Sequence, residues 1–249
     1  HGTGRSIPGD AVIEARMTST RLPGKHMLPA KGKPMIGYLV DRLKKVPSLD
    51  EIIMATTIND ADDPLVQLAE RKGISYFRGS ENNVMSRVIG SAESVKTEII
   101  VGITGDCPII DPMIIEEAIQ TFIHNKCDYV NNAVIPGYPG GMNVQVYTLS
   151  SLKKSYKMTT DSLDYEHVTS HILRNPKLFK PIYQIAPLNL NWPDLKLELD
   201  ERSDYELLKK IIEHFDDNKI FSCKEVIDLL NQHPEWVEIN HHINRRGFE

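Results

Sequence analysis

The sequence predicts an α/β fold, a mostly parallel sheet with helices on both faces. Three observations carry the prediction. Apolar runs of strand length alternate with segments of helical period, β-α-β-α-β-α-β-α-β within about 120 residues, the pattern of parallel strands joined by helical crossovers. The connections are short, as right-handed crossovers require. The composition, 41% hydrophobic and 25% charged over 249 residues, is that of an ordinary globular protein.

Each element has its own signal. His1–Asp10 show no periodicity and no initiator Met; most of them read as non-native residues left from expression, with the native chain expected from near Ala11. Ala11–Met17 is a short apolar strand. Pro34–Val46 carries Ile36, Leu39, Val40 and Leu43 at helical spacing, with proline in the first turn. Glu51–Thr56 is a second strand. Asp63 is expected to cap a helix that begins with Pro64, runs to about Lys72 and stops at Gly73. Ile74–Phe77 is a third strand, Asn82–Val95 a helix and Glu98–Thr104 a buried fourth strand. Asp111-Pro112 opens another helix, and Asp128–Val130 is a short strand.

After Asn131 the pattern changes. Pro136–Gly141 is rich in turn formers. A strand at Met142–Tyr147 is followed by helices at Leu149–Lys157 and Leu163–Leu173. Strands follow at Ile182–Ile185 and Leu195–Leu199. Helices at Ser203–His214 and Cys223–Asn231 end the series. About 150 residues per domain gives a prior of one large or two small domains. With no repeat or linker, a single domain over 11–249 is the economical reading. It divides into an alternating half (11–131), an inserted region (132–200) and C-terminal helices (201–249).

The 29 basic and 34 acidic side chains leave a net charge of −5, which argues against a nucleic-acid-coating surface but not against a basic pocket for one small anion. No apolar run reaches membrane-spanning length and no signal peptide is evident, so no membrane partner is expected. Three cysteines without a CxxC argue against structural zinc or a disulfide framework, and a reducing cytoplasm is the expected compartment.

In doubly wound sheets ligands bind at the carboxyl ends of the strands. The loop after the first strand, Ala15–Lys25, holds the cations Arg16, Arg21 and Lys25 with hydroxyls and Gly24. It reads either as a wrap for a triphosphate or as a solvated basic loop. It is neither a Walker A loop nor a GxGxxG turn. Asp106, in Thr104–Pro108 after the fourth strand, is placed for Mg²⁺ bound with phosphates or is a turn carboxylate. Asp200, with Asp204 behind it, is a second acidic candidate or the N-cap region of the next helix. His26 reads as a pH-sensitive contact or a plain loop histidine, Cys107 as packing, and Trp192 and Trp236 as hydrophobic anchors.

Taken together these segments resemble the cytidylyltransferases that activate acidic sugars: the CMP-Kdo and CMP-sialic acid (acylneuraminate) synthetases and the SpsF-like spore-coat polysaccharide branch. The resemblance runs from about Val12 to Phe215. Its most specific stretch is Ala15-Arg16-Met17-x-Ser19-Thr20-Arg21-Leu22-Pro23-Gly24-Lys25. Gly32–Met35, Ala55–Thr57, Asp62–Leu65, Phe77–Glu81, Val84–Arg87, Thr104–Pro108, Glu166–Thr169 and Leu195–Asp200 with Asp204 extend it.

The resemblance implies a Rossmann-like, glycosyltransferase-A-like enzyme. It would convert CTP and a sugar acceptor into CMP-sugar and pyrophosphate with Mg²⁺ as cofactor. Arg16, Ser19, Arg21 and Lys25 would bind the phosphates. Arg16, Arg21, Lys25 and Asp106 would be catalytic, and Asp106 and Asp200 would hold the metal. Ala15, Met17, Ala55, Thr56, Arg78 and Arg87 would complete the nucleotide side. Asn143, Gln145, Glu166 and His167 would face the acceptor.

The resemblance makes 11–131 the nucleotide-binding half and 132–200 the acceptor and dimerisation region, and it implies a homodimer with the segment after Asn131 as its arm. No general base is evident; His167 is a candidate by type. The chain departs from the family pattern at Glu14, Thr18, Asn143, Gln145, Tyr165, Ser170 and His171. The amides Asn143 and Gln145, in place of acids, leave open a non-catalytic nucleotide-binding homologue. A relative using another NTP is also open.

Overall fold

A computed structural model describes residues 9–246. The expectation for His1–Pro8 lies outside the described residues. β1 (Gly9–Glu14) is followed by the tiny hairpin β2 (Pro29–Ala30) and β3 (Lys33–Pro34), then α1 (Met35–Leu43), β4 (Leu49–Thr57), α2 (Asp63–Lys72), β5 (Ser75–Gly79), α3 (Val84–Ser94), β6 (Ile99–Thr104), α4 (Pro112–His124) and β7 (Tyr129–Asn131). The second part adds β8 (Gln145–Thr148), α5 (Leu149–Met158), α6 (Ser162–His167), α7 (Ser170–Arg174), β9 (Pro181–Tyr183), α8 (Arg202–His214), α9 (Cys223–Gln232) and α10 (Pro234–Arg246).

The seven-stranded sheet has the order β5-β4-β1-β6-β8-β7-β9. β1 pairs in parallel with β4 and β6, and β4 with β5. β8 alone runs antiparallel to its neighbours β6 and β7. Alternation along the central strands feeds two cores. Ile13, Met54 and Val101 pack with Leu39, Leu65, Ile115 and Leu208 on one face. Val12, Ile53 and Ile100 pack with Met85, Val88 and Leu152 on the other. Helices therefore cover both faces. No helix among the described residues is long and apolar enough to cross a membrane.

Several expectations shift. β1 ends at Glu14 rather than Met17, because the Met17 amide turns away to the buried Asp62 carboxylate, 2.7 Å from its Oδ1. Asn59 caps a 3-10 turn ahead of α2, so Asp63 is the first helical residue and not the cap. Gly73 stops α2 in the left-handed conformation, as expected. The helix expected over Leu163–Leu173 is two, α6 and α7, broken at Val168, where φ is 65°. Leu195–Leu199 joins no sheet and makes only an isolated bridge from Lys196 to Gly140. Its leucines are nonetheless fully buried, which is why it reads as a strand. The strand expected from Met142 enters the sheet only at Gln145. Before that, the Asn132 side chain stands in for a strand partner, donating to the Met142 carbonyl and accepting from the Val144 amide. α10 was not anticipated; its polar sequence gives only a narrow apolar stripe, Trp236, Val237 and Ile239, against the core.

Candidate active site

A cavity of about 610 Å³ opens at the carboxyl ends of β1 and β6. The loop after β1 forms one side. Gly24 takes φ 71°, a conformation glycine enters without cost, and its amide bonds back to the Met17 carbonyl at 2.9 Å. This closure turns Lys25 inward. Its side chain is only 10% exposed, with Nζ 2.7 Å from Asp106 Oδ1 and 3.8 Å from Asp200 Oδ1. Arg16 and Arg21 stay more exposed and reach Glu81 at 3.5 Å and Glu201 at 3.7 Å. An exposed cationic rim thus surrounds a buried lysine.

Asp106 is held by backbone on both sides. The Gly105 amide donates to the Glu14 carbonyl at 2.8 Å, and the Leu199 amide donates to the Asp106 carbonyl at 2.8 Å. The second bond ties Leu195–Asp200 to the end of β6 and sets Asp200 beside Asp106. On the far side Lys196 Nζ lies 3.2 Å from Asp200 Oδ2 and 3.0 Å from Asp204 Oδ2. Asp204 is fully buried and accepts from the Asp200 and Glu201 amides and from Asn240 Nδ2 of α10.

These acids feel one another. Burial pushes the Asp106 carboxyl above its usual range; Lys25 pulls it back and Asp200 adds to the rise. Glu198 is raised to about 7 by burial and then by Asp200 and Asp106. Glu14, at the end of β1, is also raised to about 7, by burial against the pull of Arg87. His26 is pushed down to about 3 by burial and by Lys25, so it stays neutral beside the lysine. Burial pushes the Cys107 thiol up, which disfavours a thiolate.

Of the sequence candidates, Ala15, Arg16, Ser19, Arg21, Lys25, Arg87, Asp106, Glu166, His167 and Asp200 line this cavity. The others lie outside its lining. The Met17 amide binds Asp62. Ala55 and Thr56 are fully buried in β4. Arg78 spends its guanidinium on the Thr57 and Asn59 carbonyls and on Asp63. Gln145 Oε1 accepts from Tyr129 at 2.7 Å and Thr169 at 2.6 Å, and Asn143, just before β8, is half-buried.

The cavity also gathers Glu14, Glu81 and Ser162, to which sequence reasoning gave no role. Glu198 is a further case with a readable signal. If Leu195, Leu197 and Leu199 share one face, period two puts Lys196, Glu198 and Asp200 together on the other.

Comparison with known proteins agrees with this geometry. The family model described as Cytidylyltransferase matches residues 11–233. The spore coat polysaccharide biosynthesis protein SpsF of Bacillus subtilis is 31% identical over 229 residues, 90% of this chain and 94% of that protein. A cytidylyltransferase structure from Leptospira borgpetersenii superposes with TM-score 0.88 at 30% identity, covering 93% of this chain and 97% of that one. CMP:2-keto-3-deoxy-manno-octonic acid synthetase, solved with CTP, shares the fold with TM-score 0.62 at 19% identity, covering 83% and 99%. The chain belongs to the cytidylyltransferase family.

Proposed function

We propose that the protein transfers the cytidylyl group of CTP to the hydroxyl of an acidic keto-deoxy sugar, releasing pyrophosphate, with Mg²⁺ as cofactor, in surface polysaccharide synthesis. The observation that carries this reading is the convergence of Lys25, Asp106 and Asp200 beneath a rim of arginines. The nucleotide is supported by the family match and by the CTP complex of the synthetase that shares the fold. An acidic acceptor and a polysaccharide role are supported by the names of the relatives.

The donor set fits Mg²⁺. Asp106 and Asp200 offer hard carboxylate oxygens side by side, and two such charges close together call for a cation between them. No cluster of three or more metal-capable side chains occurs among the described residues. Asp106 and Asp200 would hold the ion, with waters and phosphates completing its oxygen shell. When bound, Mg²⁺ supplies charge neutralisation at the phosphates.

The chain's own residues do the rest. Lys25, Arg16 and Arg21 offset the negative charge around the α-phosphate and the charge that grows on the leaving pyrophosphate. Asp62 fixes the Met17 amide and so the shape of the loop. Lys196 and Asp204 orient Asp200. Orientation of the two substrates supplies a further share of the rate.

The amide Gln145 does not argue for an inactive homologue, because its side chain is engaged inside the fold by Tyr129 and Thr169. A homodimer is supported by the exposed apolar side chains Val134, Ile135, Ile185 and Leu188 beside the edge strand β9, where an unpaired edge invites a partner. The experiment is a pyrophosphate-release screen of CTP, and then of the other NTPs, against 3-deoxy-manno-octulosonate, sialic, legionaminic and pseudaminic acids and neutral sugars. Release with CTP and an acid supports the reading. No release with any pair, or release only with another NTP, overturns it.

A further inference from the structure

The resemblance places Arg87 on the nucleotide side and gives Glu14 no role, but both line the cavity in a state that no part of the proposed reaction yet uses. Arg87, on α3, is 3% exposed, and its Nε and Nη1 have no hydrogen-bond partner. It lines the cavity with Glu14 from the end of β1. Glu14 and Arg87 attract one another, yet among the described residues no hydrogen bond or ion pair joins them. Ser162, Glu166 and His167 of α6 face the same space.

A buried guanidinium with free N–H groups is costly unless something supplies acceptors. A carboxyl within its field and not bonded to it offers an acceptor to a hydroxyl. The two groups together suit a ligand that carries an anionic oxygen and a hydroxyl close to each other. The nucleotide phosphates already have Lys25, Arg16 and Arg21 as their cations, and Arg16 lies near enough for its charge to act on Arg87.

The geometry points to Glu14 and Arg87 as the floor of the acceptor subsite, where Arg87 takes the carboxylate of a polyhydroxy acid and Glu14 accepts a hydrogen bond from its hydroxyl. This inference rests on the cytidylyl-transfer reading and adds to it which residues select the acid. It makes a prediction in which the two variants act with opposite sign. Glu14→Gln keeps the hydroxyl acceptor and removes the opposing negative charge, so an acid should bind more tightly. Arg87→Met removes the fork and leaves Glu14 to repel the acid.

The probe is 3-deoxy-manno-octulosonate, titrated by calorimetry into protein alone and into protein saturated with α,β-methylene CTP; the analogue is titrated separately. We expect E14Q to tighten the acid several-fold and R87M to weaken it at least tenfold. The affinity for the nucleotide analogue should stay within twofold in both. The inference is overturned if neither variant changes acid binding, or if R87M weakens the analogue as much as the acid, which would make Arg87 part of the nucleotide site. It is also overturned if the wild type takes up the analogue but no acid. Wild type that binds the acid but not the analogue counts against cytidylyl transfer instead, and the acid titrations still read the roles of Glu14 and Arg87. If R87M does not fold, E14Q and R87K carry the test, with R87K expected to weaken the acid because an ammonium cannot supply the fork.

Discussion

Lys25 is the residue on which the site turns. In the free protein its ammonium lies between two carboxylates, 2.7 Å and 3.8 Å away. Substituting it by methionine leaves Asp106 without its cation, while Asp200 keeps Lys196, so lower stability is expected, by roughly 1–3 kcal/mol. Added Mg²⁺ should recover more stability in that variant than in wild type, as read by differential scanning fluorimetry. Asp106→Asn is expected to cut pyrophosphate release at least about a hundredfold while leaving the fold intact by circular dichroism; full activity would remove Asp106 from the metal assignment. Residue identity carried much of this. The cationic loop and the aspartate after the fourth strand were legible because their chemistry is local. Arg78 illustrates what was not: nothing in its neighbours in sequence reveals that Thr57, Asn59 and Asp63 consume its donors.

At the scale of elements, the break between α6 and α7 shows why a helical period can mislead. Asp164 lies fully buried at the break and accepts from both Nη atoms of Arg174, each at 2.7 Å, from Ser170 at 3.0 Å and from Thr159 at 2.5 Å. Arg174, above all, holds its carboxyl well below the usual carboxylate range. A depressed carboxylate contributes stability that is present above its unfolded pKa of about 3.9 and is lost as pH falls toward the folded value. Wild type should therefore lose stability below about pH 4 more steeply than Asp164→Asn, measured by urea midpoints from pH 5 to pH 2. At neutral pH the same variant should be the less stable of the two. Periodic leucines predicted a strand at Leu195–Leu199 for a comparable reason. Burial sets the pattern, whereas strand identity depends on a ladder partner distant in sequence. α10 has little sequence signal because its polar sequence carries only a short apolar stripe.

For the whole molecule, alternating strands and helices sufficed to predict the parallel sheet, since the period of apolar residues reflects a global layering. The position of β8, the one reversed strand, was not legible, because strand order depends on which edges meet. Two carboxyls raised to about 7, Glu14 and Glu198, set the expected pH response of the free protein. A raised carboxyl stabilises below its unfolded pKa, and that contribution is lost as pH climbs through the folded value. His26, whose pKa is held near 3, opposes this below about pH 6.5, so Tm should decline gently from about pH 5 and more steeply from pH 6.5 to about pH 7, and Glu198→Gln should flatten the decline. Leu188→Glu, on the exposed apolar patch, should convert the proposed dimer to a monomer in light scattering without lowering Tm; a monomeric wild type, or an unchanged dimer mass in the variant, would overturn this interface. The long reach of the contacts that hold Asp200 has a consequence for biosynthesis. A ribosome delivers the cationic loop and Asp106 first, yet Asp200 is steadied by Asp204, which is in turn held by Asn240, near the end of the described chain. A nascent or prematurely terminated chain would expose the loop's charge without its counterpart, so competence to take up nucleotide should arise only once synthesis has passed α10.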